Sequence, residues 1–163
     1  MSTSKLLLNA LVDTFAAITL PRTFTACGET YVATLDLAGR VHVASDPSEG
    51  SGLRVSVHAG PKRHTPGGHG LGAVTVEQDF HVFGIAPAST DTPIARINAA
   101  QDLEAHLLAA LVEDRNNQLR VAAVKTDAQI LPASETSEGG SEFDRAGVVF
   151  LLVTIRWSSW LGV

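Results

Sequence analysis

Leu7, Leu8, Leu11, Val12, Phe15 and Ile18 recur at the three-and-four spacing of one helical stripe, which predicts an amphipathic helix over residues 4–18. Thr3 or Ser4 stands where a side-chain oxygen can accept from a free backbone N–H at the helix start, and Pro21 closes the segment. From Thr30 the period changes to two. Tyr31, Ala33 and Leu35 alternate with Val32 and Thr34, Ala38-Gly39-Arg40 offers a turn, and Val41 and Val43 flank His42, so a hairpin is expected over residues 30–44.

Asp46-Pro47-Ser48-Glu49-Gly50-Ser51-Gly52 is turn chemistry, and a flexible loop is expected near residues 45–52. Leu53, Val55 and Val57 then share one side of a strand whose other side carries Arg54, Ser56 and His58. Between Gly60 and Gly72 lie five glycines and two prolines, too many for a regular element, so residues 60–72 read as a flexible tip. Val74, Val76, Phe80 and Val82 alternate with Thr75, Glu77, Asp79 and His81, which makes residues 73–85 the long returning strand.

Thr92 before Pro93 pairs a capping side chain with a first-turn proline. The stripe Ile94, Ile97, Ala100, Leu103, Leu107, Leu108 and Leu111 carries that helix to about residue 115, with Asp102, Glu104, Glu113 and Arg115 falling largely away from it. Asn116 and Asn117 stop it. Leu119, Val121 and Ala123 suggest a strand running to Ile130, and the Ser, Glu and Gly of residues 132–146 an exposed, flexible connection.

The last strand, Gly147 to Trp157, differs in kind. Val149, Leu151, Val153, Ile155 and Trp157 make one apolar side, and Val148, Phe150 and Leu152 make a second. A strand apolar on both sides is central and covered twice, here by a helix or by another subunit. Trp160 and Leu161 sit near the end of the chain, where segments are usually polar, and suggest a docked tail. The order of elements gives an α+β fold: a mainly antiparallel sheet flanked by two helices, with a long hairpin tip, in one domain over residues 1–163.

Composition supports order. Of 163 residues, 45% are apolar and 18% charged, outside the range of disordered chains and enough for a core without staples. Cys27 is the single cysteine, so no intrachain disulfide can form. No run reaches the roughly 18–20 apolar residues that cross a bilayer, and Asn9 and Asp13 interrupt the leading apolar stretch, so neither a membrane partner nor a secretory signal is expected. A net charge of −5 with dispersed basic residues argues against a sequence-specific nucleic-acid binder.

Candidate chemistry is sparse. His58, His64, His69 and His81 lie in or beside the Gly-rich tip, and imidazoles are common zinc ligands. No cysteine accompanies them, and the nearest carboxylate, Asp79, shares a side with His81. A solvated loop without metal or cofactor is the simpler reading, and a small His-metal enzyme the remote alternative. Gly67-Gly68-His69-Gly70 lacks the following helix of a phosphate cradle. Cys27 reads as a small packing residue, Ser158 and Ser159 lack an elbow motif, and His106 as a hydrogen-bonded histidine near the helix stripe. Arg156 suits an ion pair at the surface or between subunits. Lys62, Arg63, His64, His69, Arg156, Trp157, Trp160 and Leu161 are the candidates for a subunit or partner interface.

A leading helix at 4–18, a strand pair at 53–85 with a long tip, a helix at 93–115 and a closing strand ending in FLLVTIRWSSW together resemble the tail terminator and tail-completion proteins of tailed bacteriophages. The resemblance lies in the order and length of elements. The hairpin expected at 30–44 departs from it. It implies a non-enzymatic virion protein, made in the host cytoplasm, that forms a ring, commonly of six copies, at the end of the tail tube. Its partners would be itself, the tail tube protein and neck or head-completion proteins, with DNA passing through the ring. A neck or head-closure protein of the same lineage is the alternative it leaves open.

Overall fold

A computed structural model describes residues 1–44, 52–66, 73–132 and 147–160. The expected loop at 45–52 falls almost entirely outside these residues, as do most of the connection at 132–146, the distal part of the 60–72 tip with His69, and Leu161.

The chain opens with α1 (Thr3–Ala16), capped ahead of both expected residues: the Ser2 hydroxyl accepts from the Lys5 N–H at 3.4 Å. Its stripe is the expected one, with Leu7, Leu11 and Phe15 fully buried and Leu8 and Val12 packed at the margin. β1 (Thr23–Ala26) and β2 (Glu29–Val32) follow as a separate antiparallel pair. Cys27 and Gly28, both at positive φ (54° and 78°), join them in the left-handed tight turn that matches strand twist.

The hairpin expected over 30–44 is therefore corrected. The segment after Thr30 pairs backwards onto residues 23–26, while β3 (Val41–Val43) joins the main sheet as a parallel neighbour of β4 (Arg54–Pro66). Local alternation overlapped the strands only at residues 30–32 and 41–43, since Ala33, Thr34 and Leu35 lie beyond β2, and the partner of each strand lay on its other side in sequence.

β4 and β5 (Val74–Ile85) form the long antiparallel hairpin. Regular pairing runs further into the expected tip than composition suggested, as far as Pro66 opposite Val74. A bulge between Ala59 and Lys62 absorbs Gly60 and Pro61, so the breakers sit where the ladder already departs from register.

α2 (Pro93–Asn117) begins as expected, with the Thr92 hydroxyl accepting from the Ala95 N–H, and Gln118 in the left-handed conformation ends it. The strand expected over 119–130 is replaced by one helical turn, α3 (Val121–Val124), and a two-residue strand, β6 (Gln129–Ile130). The alternation of Leu119, Val121 and Ala123 was too short to separate the two conformations. β7 (Val148–Ser159) closes the fold.

The main sheet runs β3-β4-β5-β7-β6, mixed but mostly antiparallel, and the protein is α+β as expected. α1, α2 and the β1–β2 pair lie on one side of it, over Val55, Val57, Val76, Phe80, Val82, Val149, Leu151, Val153, Ile155 and Trp157. Gly84 has no side chain because Leu103 of α2 occupies that space: a Cβ there would come within 2.8 Å of it. Among the described residues no helix is long and apolar enough to cross a membrane.

Candidate interaction surface

Polar side chains buried between the helices and the β1–β2 pair are structural anchors. His106 is fully buried; its Nδ1 lies 2.6 Å from the Asp102 carbonyl, and its Nε2 accepts from the N–H groups of Thr34 (2.9 Å) and Leu35 (3.2 Å). That is the neutral tautomer with Nδ1 protonated, as a helix residue stitched to a loop requires. The Tyr31 ring meets it edge-on, and burial, followed by the Asp102 charge, raises the Tyr31 phenol above its ordinary pKa.

Glu113 was expected to point away from the core and does not. Its carboxylate accepts from the Arg22 guanidinium and from the Thr25 N–H at 3.1 Å, tying the end of α2 to β1. Asp114 beside it accepts from Thr14 of α1 and from the Arg120 N–H, each at 2.7 Å. Both carboxylates look polar in sequence, but Arg22 and Thr25 on Glu113 and Thr14 on Asp114 lie about 90 to 100 residues away, which no local period announces. Cys27, expected as a packing residue, is exposed in its turn, with the Asn116 amide donating to its sulfur.

The far side of the sheet is different, because no described helix lies on it. Strand alternation sends Ser56 and His58 of β4, Glu77, Asp79, His81 and Phe83 of β5, and Phe150, Leu152, Thr154 and Arg156 of β7 to this side. Its middle is aromatic: the Phe83 and Phe150 rings are 4.9 Å apart, His58 meets Phe83 edge-on at 5.6 Å, and His81 lies 5.7 Å from Phe150. Phe83, Phe150 and Leu152 are all partly exposed. The sequence flagged this side through Val148, Phe150 and Leu152, and the second cover it called for is not provided by a helix among the described residues.

Toward the tip the surface becomes charged. Arg63 grips Asp79 with both guanidinium nitrogens (2.7 and 2.9 Å), Thr154 donates to Asp79 at 2.8 Å, and Arg156 donates to Glu77 at 2.8 Å. The Arg63 hydrogen bond is the main reason that the Asp79 carboxyl lies below the ordinary carboxylate range; the Thr154 hydrogen bond adds to it, and partial burial opposes it.

The bulge decides which residues share this side. Ahead of it His58 faces His81; beyond it one extra residue on β4 brings Arg63 opposite Glu77 and puts His64 opposite the buried Val76. His64 therefore projects on the helix side, while His58 and His81 are cross-strand neighbours on the open side. The four histidines considered from sequence do not converge as far as they are described, and no group of three or more metal-ligating side chains occurs among the described residues.

Of the remaining interface candidates, Lys62 is exposed on the distal part of β4 and Arg156 pairs within its own subunit. Trp157 is 1% exposed and belongs to the subunit's own core, since its position in β7 places it on the helix side. Trp160, three residues on, is 78% exposed. A shallow groove beside β2 and α2, lined by Phe24, Tyr31, Leu108 and Val112, is mainly apolar and gathers no convergent polar set. Comparison with known proteins gives neither a matching family model nor a matching curated protein.

Proposed function

We propose that this chain is a non-enzymatic structural subunit of a tailed-phage virion, of the tail terminator class, which caps the tail tube as a ring and joins it to the neck. The reading combines the resemblance in element order with one observation: β7 is apolar on both sides over Val148–Val153, yet the described helices cover only one. Phe83, Phe150 and Leu152 stay partly wet in the isolated subunit. Fully burying a side chain of this size is worth about 1.5–3 kcal/mol, and these partly buried groups would recover a share of that on assembly. The exposed Trp160 adds a second apolar element at the end of the same strand.

Partners are then further copies, the tube protein and neck proteins. Native mass measurement of the purified protein, alone and with tube protein, tests the reading. A closed oligomer that attaches to tube ends is expected. A protein that stays monomeric and ignores tubes overturns it.

A further inference from the structure

Among the described residues the main sheet leaves two edges unpaired, the start of β7 and β3, and their chemistry points to what covers them. The Ala86 N–H donates to Gly147 O, which fixes the odd-numbered residues at the start of β7 as those bonded to β5. The even-numbered ones point outward. Thr154 O accepts from the Leu131 N–H, and the Ser158 N–H donates to Asp127, so that end of the lane is filled by β6 and its flanks. Among the described residues nothing bonds the outward N–H and C=O groups of Val148, Phe150 and Leu152. This stretch, Val148-Val149-Phe150-Leu151-Leu152-Val153, has no charge, no proline and no bulge.

Natural sheets blunt edges that must stay single. The distal edge of β4 shows this, with a bulge, Pro61 and Lys62 on exposed backbone. The β7 edge has none of these devices; β3, at the opposite side of the sheet, is short at three residues but carries no proline, lysine or bulge. The Val55 N–H donates to Arg40 O and the Ala44 N–H to Val57 O, which turns Val41 and Val43 outward. Val43 is 44% exposed.

We infer that the open edge of β7 pairs with β3 of a second copy of this chain, continuing the sheet from subunit to subunit. Two different apolar edges on opposite sides of one sheet make a head-to-tail contact, the kind that closes into rings. β3 and β7 run the same way within the subunit, since β3 is parallel to β4 and β7 is two antiparallel steps from it. Rotation about an axis along the strands preserves that sense, so the contact is parallel. It also brings His42 of one copy to the same side as Phe150 and Leu152 of the next, extending the aromatic surface. This inference rests on the ring reading and deepens it by naming the contact.

Disulfide trapping tests it in a C27S background. The single-cysteine variants H42C, F150C and L152C are prepared separately and also mixed in pairs under mild oxidation. Covalent dimers are expected from H42C mixed with F150C or L152C and not from any variant alone, and the chain carrying H42C and L152C together should give a ladder ending at the ring size. F150C or L152C linking to itself would show β7 paired with β7, and overturns the inference. Rings by native mass measurement with no trapped pair at either position overturn this contact while leaving the ring reading standing. Monomers throughout overturn both. Backbone protection of Val148, Phe150 and Leu152 against hydrogen exchange in a dilute monomer would show the chain covering its own edge, and overturns the inference as well.

Discussion

Gly60 lies against the imidazole of His81: a Cβ on Gly60 would fall 2.6 Å from its Nε2 and 2.8 Å from the carbonyl oxygen of Asp79. The ring could move aside, but the carbonyl belongs to the backbone of the partner strand. This close approach accompanies the bulge at residues 59–62, and the bulge sets Arg63 on the side of Asp79. A single small residue therefore underlies both the aromatic and the charged parts of the open surface.

Replacing Gly60 with alanine is expected to cost about 1–3 kcal/mol, the range for forcing an extra methyl group into a packed site. Chemical denaturation measures it. The double variant with H81A should recover only part of the loss, because the Asp79 carbonyl still obstructs the methyl group. Full recovery would mean that the ring alone made glycine necessary.

Asp79 gives a pH dependence whose sign is fixed. Its folded-state pKa is lowered, so its contribution is complete above the ordinary carboxylate value of about 4 and fades as pH falls through the lower folded value. D79N removes the Arg63 pairing and should lower stability only modestly at neutral pH, because Arg63 is half exposed and solvent screens the pair. The variant and the parent should converge in stability as pH drops below about 4 and the Asp79 carboxyl takes up its proton. A difference that stays constant across that window would assign the effect to packing.

The open surface shows how far the amino-acid sequence could be read. β5, α2 and β7 each carry a long unbroken period, and each was legible, as was the double-sided character of β7. The misreadings were short or non-local. Cys27-Gly28 is a tight turn without the Asn or Asp that usually announces one, so the β1–β2 pair was missed and β3 was given the wrong neighbour. Four residues at 121–124 were too few to show a helical period. The Arg63–Asp79 pair depended on a one-residue shift in register, which strict alternation cannot foresee.

His106 should be among the least replaceable side chains. H106L keeps the volume but leaves the N–H groups of Thr34 and Leu35 without their acceptor inside the fold, at about 1–3 kcal/mol for each donor left unsatisfied. A loss of about 2–5 kcal/mol in denaturant unfolding is expected, with faster amide exchange at Thr34 and Leu35. A loss below about 0.5 kcal/mol would show that these amides find other acceptors.

E113A should act locally. Glu113 holds Arg22 and the Thr25 N–H, so its removal frees the β1–β2 pair from α2 while leaving the main sheet intact. Proteolytic cleavage near the Cys27–Gly28 turn should accelerate well before global unfolding does, and a cost of about 2–4 kcal/mol is expected from a broken, largely buried pair. Unaltered cleavage at the turn, with global stability reduced by the same amount, would mean that the pair unfolds only with the rest.

Trp160 separates assembly from folding because its neighbour Trp157 does not. W157A empties a core site on the helix side and should lose about 3–5 kcal/mol, enough to unfold a marginal subunit. W160A removes a ring that is 78% exposed and should change the unfolding midpoint by less than about 0.5 kcal/mol. If this apolar end is a contact between subunits or with the tube, W160A should weaken the closed oligomer at least tenfold in concentration, since large aromatic anchors at an interface carry 2 kcal/mol or more. An oligomer that forms at the same concentration with and without the indole would leave Trp160 outside the assembly contact and confine the adhesive surface to Phe83, Phe150, Leu152 and the edge beside them.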